Sequence, residues 1–269
     1  MKKNSKKKIL SSSLSDLVTK FSQQNIIAEI EKRYQNAPAK LLSISSIDDC
    51  AYISRVKLPE ETQDYFASRL KEKGFYNPLV VRTKEDGRYE IILGRKRFFG
   101  AKRAGILSLP CTFAEVEDEE MLLMLLADTR DQREANVIEM ALVCQALQKE
   151  FGYNQQTLAD LSHQSRCQIS NISRVLKLPD ELLEAICLGK MSYGHGRALA
   201  CLDKESAASL GRRVLEENLS VRETERLAQT LRGQSAKKKP YAVETKGTRL
   251  ILTFDSEEEM LAFQKSHKI

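Results

Sequence analysis

The stretch "LGRKRFFGAKRAG", Leu93–Gly105, gathers Arg95, Lys96, Arg97, Lys102 and Arg103 around Phe98 and Phe99, with glycines at Gly94, Gly100 and Gly105. The run "RYEIILG" before it is strand-like, and the residues from Arg95 to Ala104 read as a helix. A glycine at such a junction lets backbone N–H groups approach an anion. The positive end of the helix favours the anion, and Arg95, Lys96 and Arg97 add charge. The G-x-x-x-x-G-K-[ST] pattern of a Walker loop is missing. On these residues two readings stand equally: a phosphate-binding loop, or a basic helix facing water.

A second constellation lies in "NQQTLADLSHQSRCQISNISRVLKLP", residues 154–179. Asn154 can cap a short helix with Leu158, Ala159 and Leu161 inward, "SHQ" turns the chain, and Ser165 with Gln168 forms an S-x-x-Q capping box. Ile169, Ile172, Val175 and Leu176 fall on one side of the second helix. At about 100° per residue, Arg166, Ser170, Ser173, Arg174 and Lys177 fall on the other. This is a helix-turn-helix pattern with a face suited to DNA, because arginine pairs with guanine edges and phosphates while Ser, Asn and Gln make shorter contacts. The competing reading is an ordinary helical hairpin with a solvated face.

Other chemistry is poorly served. No Ser/His/Asp order stands out, so catalytic residues are unknown, and the acids of "EVEDEE" (115–120) read as a solvated helix start. His195, set between glycines in "GHGRALA", reads as a structural residue at a helix end. The six cysteines, Cys50, Cys111, Cys144, Cys167, Cys187 and Cys201, form no CxxC pair and are expected to be buried thiols in a reducing cytoplasm, with no metal site.

These residues must be held by ordinary soluble elements. The 269 residues are 42% hydrophobic and 30% charged, and the absence of Trp with few aromatics favours helices over a sandwich. The net charge is +6, but five lysines fall within Met1–Lys8, so any anion site in the body must be a local patch. No apolar run reaches membrane-spanning length, and "KILSSSLSDLV" is too polar and short for a signal peptide. The expectation is a cytoplasmic protein that does not enter a membrane.

Residues 1–40 read as a basic, partly disordered region with an amphipathic helix near Leu14–Tyr34. Strands are expected at 40–45, 77–83, 88–94 and 109–116, with a hairpin turn at Asp86-Gly87 and a helix over 58–74 that opens at Pro59 and closes at Gly74. Helices over 117–128 and 136–152 open a helical stretch that runs to about residue 232. Further capping boxes are expected at Ser220 with Glu223 and Ser256 with Glu259. "GQSAKKKP" reads as a linker within 233–247. A strand–helix unit over 248–269 is too small to hold a core alone, so a second copy of itself is its simplest partner.

Five segments in order resemble motifs of the ParB-type chromosome and plasmid partition proteins and their nucleoid-occlusion relatives. "GFYNPLVVR" (74–82) is similar to G-x-x-x-P-[IL]-x-V-R, and "GRKRFFGAKRAG" (94–105) to G-E-R-R-x-R-A-x-x-x-A-G. "QREANVIEMA" (132–141) is similar to E-N-x-Q-R-x-D-L-x-x-[IL]-E-x-A, "SRCQISNISRVLKLP" (165–179) to the family recognition helix, and "GHGRAL" (194–199) to G-H-A-R-A-L. The resemblance spans residues 41 to 232.

It implies an α+β protein. A ParB/sulfiredoxin-like α/β nucleotide-binding domain would occupy 41–127, and an all-α DNA-binding domain 128–232, with its helix-turn-helix at 154–178. A dimerisation unit would occupy 248–269. CTP and Mg²⁺ are the implied ligands, with Gly74, Pro78, Gly94, Arg95, Lys96, Arg97, Asp128, Thr129 and Arg133 in the nucleotide site. Double-stranded DNA would meet Ser165, Arg166, Gln168, Ser170, Asn171, Arg174 and Lys177. The implied activity is a homodimeric, CTP-gated DNA clamp loaded at a parS-like palindrome, holding non-specific DNA as well. A ParA-type ATPase would contact the basic N-terminal region.

The departures are specific. Arg95 stands where the family box has Glu, Lys96 where it has Arg, Phe99 where it has Arg and Gly100 where it has Ala. The family's Glu-Asn pair falls on Asp128-Thr129, or on Thr129-Arg130 with a one-residue shift, and neither supplies Asn. Weakened Mg²⁺ coordination and weak or absent CTP hydrolysis are the consequence expected. The alternatives are a helix-turn-helix transcriptional regulator or nucleoid-occlusion factor without spreading, and a sulfiredoxin-like enzyme. The latter needs a cysteine that Gly94–Gly100 lacks.

Overall fold

The structure, a computed structural model, describes residues 37–75, 77–131, 136–237, 241–246, 249–254 and 256–267. The expected N-terminal basic region and its helix before residue 37 lie outside these residues, as does Arg133.

Five strands form one sheet: β1 (Lys40–Ser43), β2 (Ile47–Asp48), β3 (Leu79–Thr83), β4 (Tyr89–Leu93) and β5 (Ser108–Phe113), in the order β1-β5-β3-β4-β2. β3 and β4 are the expected antiparallel hairpin, turning where Gly87 takes φ 77 and the Asp86 carboxylate accepts the Arg88 N–H at 3.0 Å. β5 runs parallel to β3 and antiparallel to β1. The two-residue β2, parallel to β4, is too short to show a period and was not legible in the sequence.

Both faces of the sheet are covered, which is why β3 and β4 read as near-continuous apolar runs. Leu79, Val81 and Ile91 pack with Leu70 of α1 (Glu60–Lys73) and with Phe98 and Ala101 of α2 (Arg95–Arg103). Val80, Ile92 and Leu93 pack the other way, onto Met121–Ala127 of α3 (Asp118–Asp131). α1 and α2 lie so close that a Cβ added to Gly100 would stand 2.5 Å from the Phe66 Cβ and 3.0 Å from its backbone carbon.

The helical part holds α4 (Val137–Phe151), α5 (Gln155–Ser162), α6 (Arg166–Val175), α7 (Asp180–Cys187), α8 (Tyr193–Leu199), α9 (Lys204–Glu217) and α10 (Val221–Lys237). The boundary expected at 127 falls inside α3, which is buried from Met121 to Ala127 between the sheet and the later helices. One hydrophobic core therefore runs through both regions. Among the described residues no helix is long and apolar enough to cross a membrane.

Two expectations need correction. The stretch 233–247, read as a linker, carries the end of α10 to Lys237 and then a strand, β6 (Tyr241–Lys246). Its lysines and alanine are good helix formers, and one Gly inside a helix costs only about 1 kcal/mol. β6 pairs antiparallel with β7 (Arg249–Phe254), and α11 (Glu257–His267) follows. The cysteines divide: Cys50, Cys111, Cys144 and Cys187 are buried, but Cys167 and Cys201 are exposed. Cys167 lies beside Arg166 on the polar side of α6, and Cys201 follows the end of α8.

Candidate DNA interface and anion loop

The helix-turn-helix closes on local hydrogen bonds. Asn154 caps α5, its Oδ1 accepting the Thr157 N–H at 2.9 Å, and His163 makes the turn at φ 53. The buried Ser162 hydroxyl donates to the Leu158 carbonyl at 2.6 Å. At the start of α6 the Ser165 Oγ accepts the Gln168 N–H at 3.2 Å, while the Gln168 Oε1 accepts the Ser165 N–H at 2.8 Å. This reciprocal box satisfies two donors that a helix start otherwise leaves without partners.

Ile169, Ile172 and Val175 anchor α6 in the core. Arg166, Gln168, Arg174 and Lys177 are exposed, and Ser170 and Asn171 are half-buried. Arg166 and Lys177 enter no ion pair among the described residues. The Arg174 guanidinium donates to the Asn171 side-chain carbonyl, so one DNA-face residue orients another. All seven expected DNA residues thus share the first helical turns, the outer face of α6 or the turn beyond it.

Behind α6, His195 holds the start of α8. The Ser192 N–H donates to its Nδ1 at 3.2 Å, and Nε2 lies 3.0 Å from the Leu219 carbonyl. A carbonyl can only accept, so the proton sits on Nε2. The ring caps a helix, as expected of it.

The basic stretch at α2 is spent differently from expectation. Gly94 takes φ 96, and a Cβ there would stand 2.6 Å from Leu79 Cδ2, so only glycine fits the junction. Arg95 turns inward. Its Nε and Nη2 donate to the two Asp49 oxygens at 2.7 Å each, Nη2 also donates to the Val56 carbonyl at 2.7 Å, and Nη1 donates to Glu139 at 2.5 Å. Its side chain is only 9% exposed. Burial works against the Arg95 charge, yet its bonds to Asp49 and the charge of Glu139 raise its pKa above the ordinary arginine value. Burial pushes the Glu139 carboxyl up, against the pull of Arg95, and the nearby Asp128 charge adds to the rise.

Arg97 also folds back, donating to the Asn77 carbonyl and, at 3.3 Å, to that of Pro78. Lys102 lies 4.4 Å from the Phe98 ring centre, and Arg103 pairs with Asp64 at 2.8 Å. Lys96 is half-buried, its charge helping to hold the Glu139 carboxyl down. Gly94, Arg95, Lys96, Arg97 and Pro78 therefore meet at the N-terminus of α2, while Asp128 of α3 is felt there only through its charge on Glu139. Gly74 only ends α1, at φ 69, and the buried Thr129 donates its hydroxyl to the Leu126 carbonyl at 2.9 Å.

Asp49, Val56 and Glu139 were missed in the sequence. The reversed charge at Arg95 was the available signal, because a buried arginine requires acids around it. With Asp49 and Glu139 engaged, these donors do not make a protein site for Mg²⁺, which needs oxygen ligands free to reach it. The first-turn N–H groups of α2 do suit a phosphate, since a helix start leaves them without intrahelical partners.

Comparison with known proteins bears on both regions. The ParB N-terminal domain family matches residues 28–129, and the ParB HTH domain family matches residues 133–233. The probable chromosome-partitioning protein ParB of Vibrio cholerae is 33% identical over 186 residues, 69% of this chain and 64% of that protein. The chromosome-partitioning protein Spo0J of Thermus thermophilus is 33% identical over 206 residues, 76% of each. The chain thus spans less than two thirds of the Vibrio relative. Among solved structures, C-terminally truncated ParB from Caulobacter crescentus complexed to the centromeric parS site is 30% identical with a TM-score of 0.42, covering 71% of this chain and 99% of that one. The same protein complexed with CTP-gamma-S gives 27%, a TM-score of 0.33, and 66% and 98% coverage. The two matched families together with the identity to the Thermus protein place this chain in the ParB family.

Proposed function

We propose that the chain is a dimeric, site-specific DNA-binding partition protein that loads at a palindromic centromere-like element and spreads as a CTP-gated clamp. The observation that carries this reading is α6: a capped, core-anchored helix that presents Arg166, Gln168, Asn171, Arg174 and Lys177 outward. Family membership supports CTP as the ligand of the Gly94–Arg97 loop. Backbone N–H groups and Lys96 hold its phosphates, while Arg95 and Arg97 hold the loop itself. Because Asp49 and Glu139 are engaged by Arg95, CTP binding depends little on Mg²⁺ and hydrolysis is slow or absent. The C-terminal β6–β7–α11 unit pairs with its copy, and the N-terminal basic region meets a ParA-type ATPase.

The committed Arg95 also favours a second reading, a helix-turn-helix regulator or nucleoid-occlusion factor that stays on its site. Footprinting separates the two. The element is first selected from random duplexes, then placed on closed-circular DNA and probed without nucleotide, with CTP, and with CTP and Mg²⁺. Protection spreading far beyond the element with CTP, with or without Mg²⁺, is the expected result. Protection confined to the element under all conditions establishes the regulator, and robust Mg²⁺-dependent phosphate release overturns the altered-pocket reading. Arg166→Ala should abolish protection of the element without unfolding the chain; unchanged affinity would sink the assignment of α6.

A further inference from the structure

Beside the recognition helix a groove of about 430 Å³ runs between α6, α8 and α10. Asn171 of α6 stands on one wall, Arg197 of α8 beside it, and Glu225, Gln229 and Arg232 of α10 opposite. The floor is made by small side chains, Ala198 and Ala228, both almost fully buried. Arg197 is paired with Glu225 at 2.6 Å, their side chains 49% and 42% exposed. Arg232 is exposed and enters no ion pair among the described residues.

We propose that this groove seats a phosphate of the DNA backbone next to the bases read by α6, with Arg197 and Arg232 as the contacts and Glu225 as a brake that holds Arg197 until phosphate displaces it. The inference rests on the DNA reading of α6 and extends it to α10, which no motif marked. Three features carry it. Asn171 belongs to both the recognition face and the groove, so DNA lying on α6 passes over the groove. The small floor leaves room for a phosphate between two guanidinium groups, which bind phosphate through paired N–H donors. The Arg197–Glu225 pair is half-exposed, and exposed pairs are weak, so a phosphate can compete for Arg197. Glu225 then disfavours DNA in general, since every duplex brings the same phosphates and must break the same pair.

The test measures affinity of the full-length chain for the selected element and for a scrambled duplex across a salt series. Arg232→Ala should weaken both about tenfold. It should also reduce the slope of log affinity against log salt by about 0.9, the share of one phosphate contact, and leave the ratio between the two duplexes unchanged. Glu225→Gln should tighten both. Arg212→Ala, which removes the same charge from the exposed pair between Arg212 of α9 and Glu181 of α7, should change neither slope nor ratio. If wild type and Arg166→Ala behave as the DNA reading requires while Arg232→Ala and Glu225→Gln match wild type, the groove assignment is wrong and that reading stands. An equal loss of slope in Arg212→Ala would also overturn it, because net charge would then explain the effect. Absence of any site preference in wild type removes the DNA reading itself.

Discussion

Arg95 decides how the anion loop is read. A free arginine at a helix start would be a phosphate ligand. This one is the cation that keeps Asp49 and Glu139 tolerable inside the fold, with acid side chains only 16% and 14% exposed. Removing one member of such a group leaves buried charge without compensation. Arg95→Ala is therefore expected to lose about 3–5 kcal/mol of stability, measured by denaturant unfolding near neutral pH. The pH dependence follows. Without Arg95 the buried Glu139 carboxyl keeps a folded pKa above its unfolded one, so it stabilises most when protonated and the contribution is lost as pH rises through the folded value. The deficit against wild type should therefore shrink as pH falls into the carboxylate range. A deficit under 1 kcal/mol at neutral pH would show that the guanidinium is dispensable. The sequence showed the basic residues and their place after a strand, but not where they point. Arg95 and Lys96 are neighbours of like charge, and only the acids arriving from residues 49 and 139 separate their roles.

At the scale of elements, the legible features were those whose cause is local. Pro59 and Gly74 bound α1, Asp86–Gly87 turns the hairpin, and the Ser165–Gln168 box starts α6, all within a few residues of sequence. The Ser220–Glu223 box also forms, the Glu223 N–H reaching the Ser220 Oγ at 3.3 Å, while the side chain of Glu259 lies outside those described. What stayed illegible was β2, which exists only by pairing with the distant β4, and β6, which pairs with the adjacent β7 but merges in the sequence with the lysine-rich stretch before it. Gly100 joins the two cases. Its place in the basic box suggested chemistry, whereas the contact with Phe66 gives a packing reason. Helix propensity alone would make Gly100→Ala stabilising by about 1 kcal/mol. The added Cβ meets a Cβ and backbone that cannot swing aside, and such overpacking costs about 1–3 kcal/mol. The expected outcome is a lower Tm by calorimetry; a higher Tm would mean that α1 and α2 separate freely.

Across the whole molecule, a strap from Asp49 to Leu58 ties the sheet to the helices. Tyr52 donates to Glu150 at 2.8 Å, Lys57 pairs with Glu184 at 2.8 Å, and Arg95 beside the strap pairs with Glu139 at 2.5 Å. Ile53 and Val56 sink between them into the shared core. At the other end of the chain β6 pairs with β7, and Phe254 of β7 packs against Phe263 of α11. A two-stranded sheet with one helix is too small to be stable alone, and Ile251 and Leu261 remain 39% and 47% exposed. The double variant Ile251→Asp/Leu261→Asp should convert a dimer to a monomer by light scattering while the helical signal is kept. A dimer that survives both charges would place the interface elsewhere.

The shared core also bears on how the chain is made. Arg95 and Asp49 leave the ribosome well before Glu139, which is 44 residues further along. Until α4 emerges, the nascent sheet carries an apolar face that α3 alone covers and a guanidinium short of one carboxylate. The core between the sheet and α1 and α2 is complete once β5 is made, whereas the opposite face waits for the helical region to close its core.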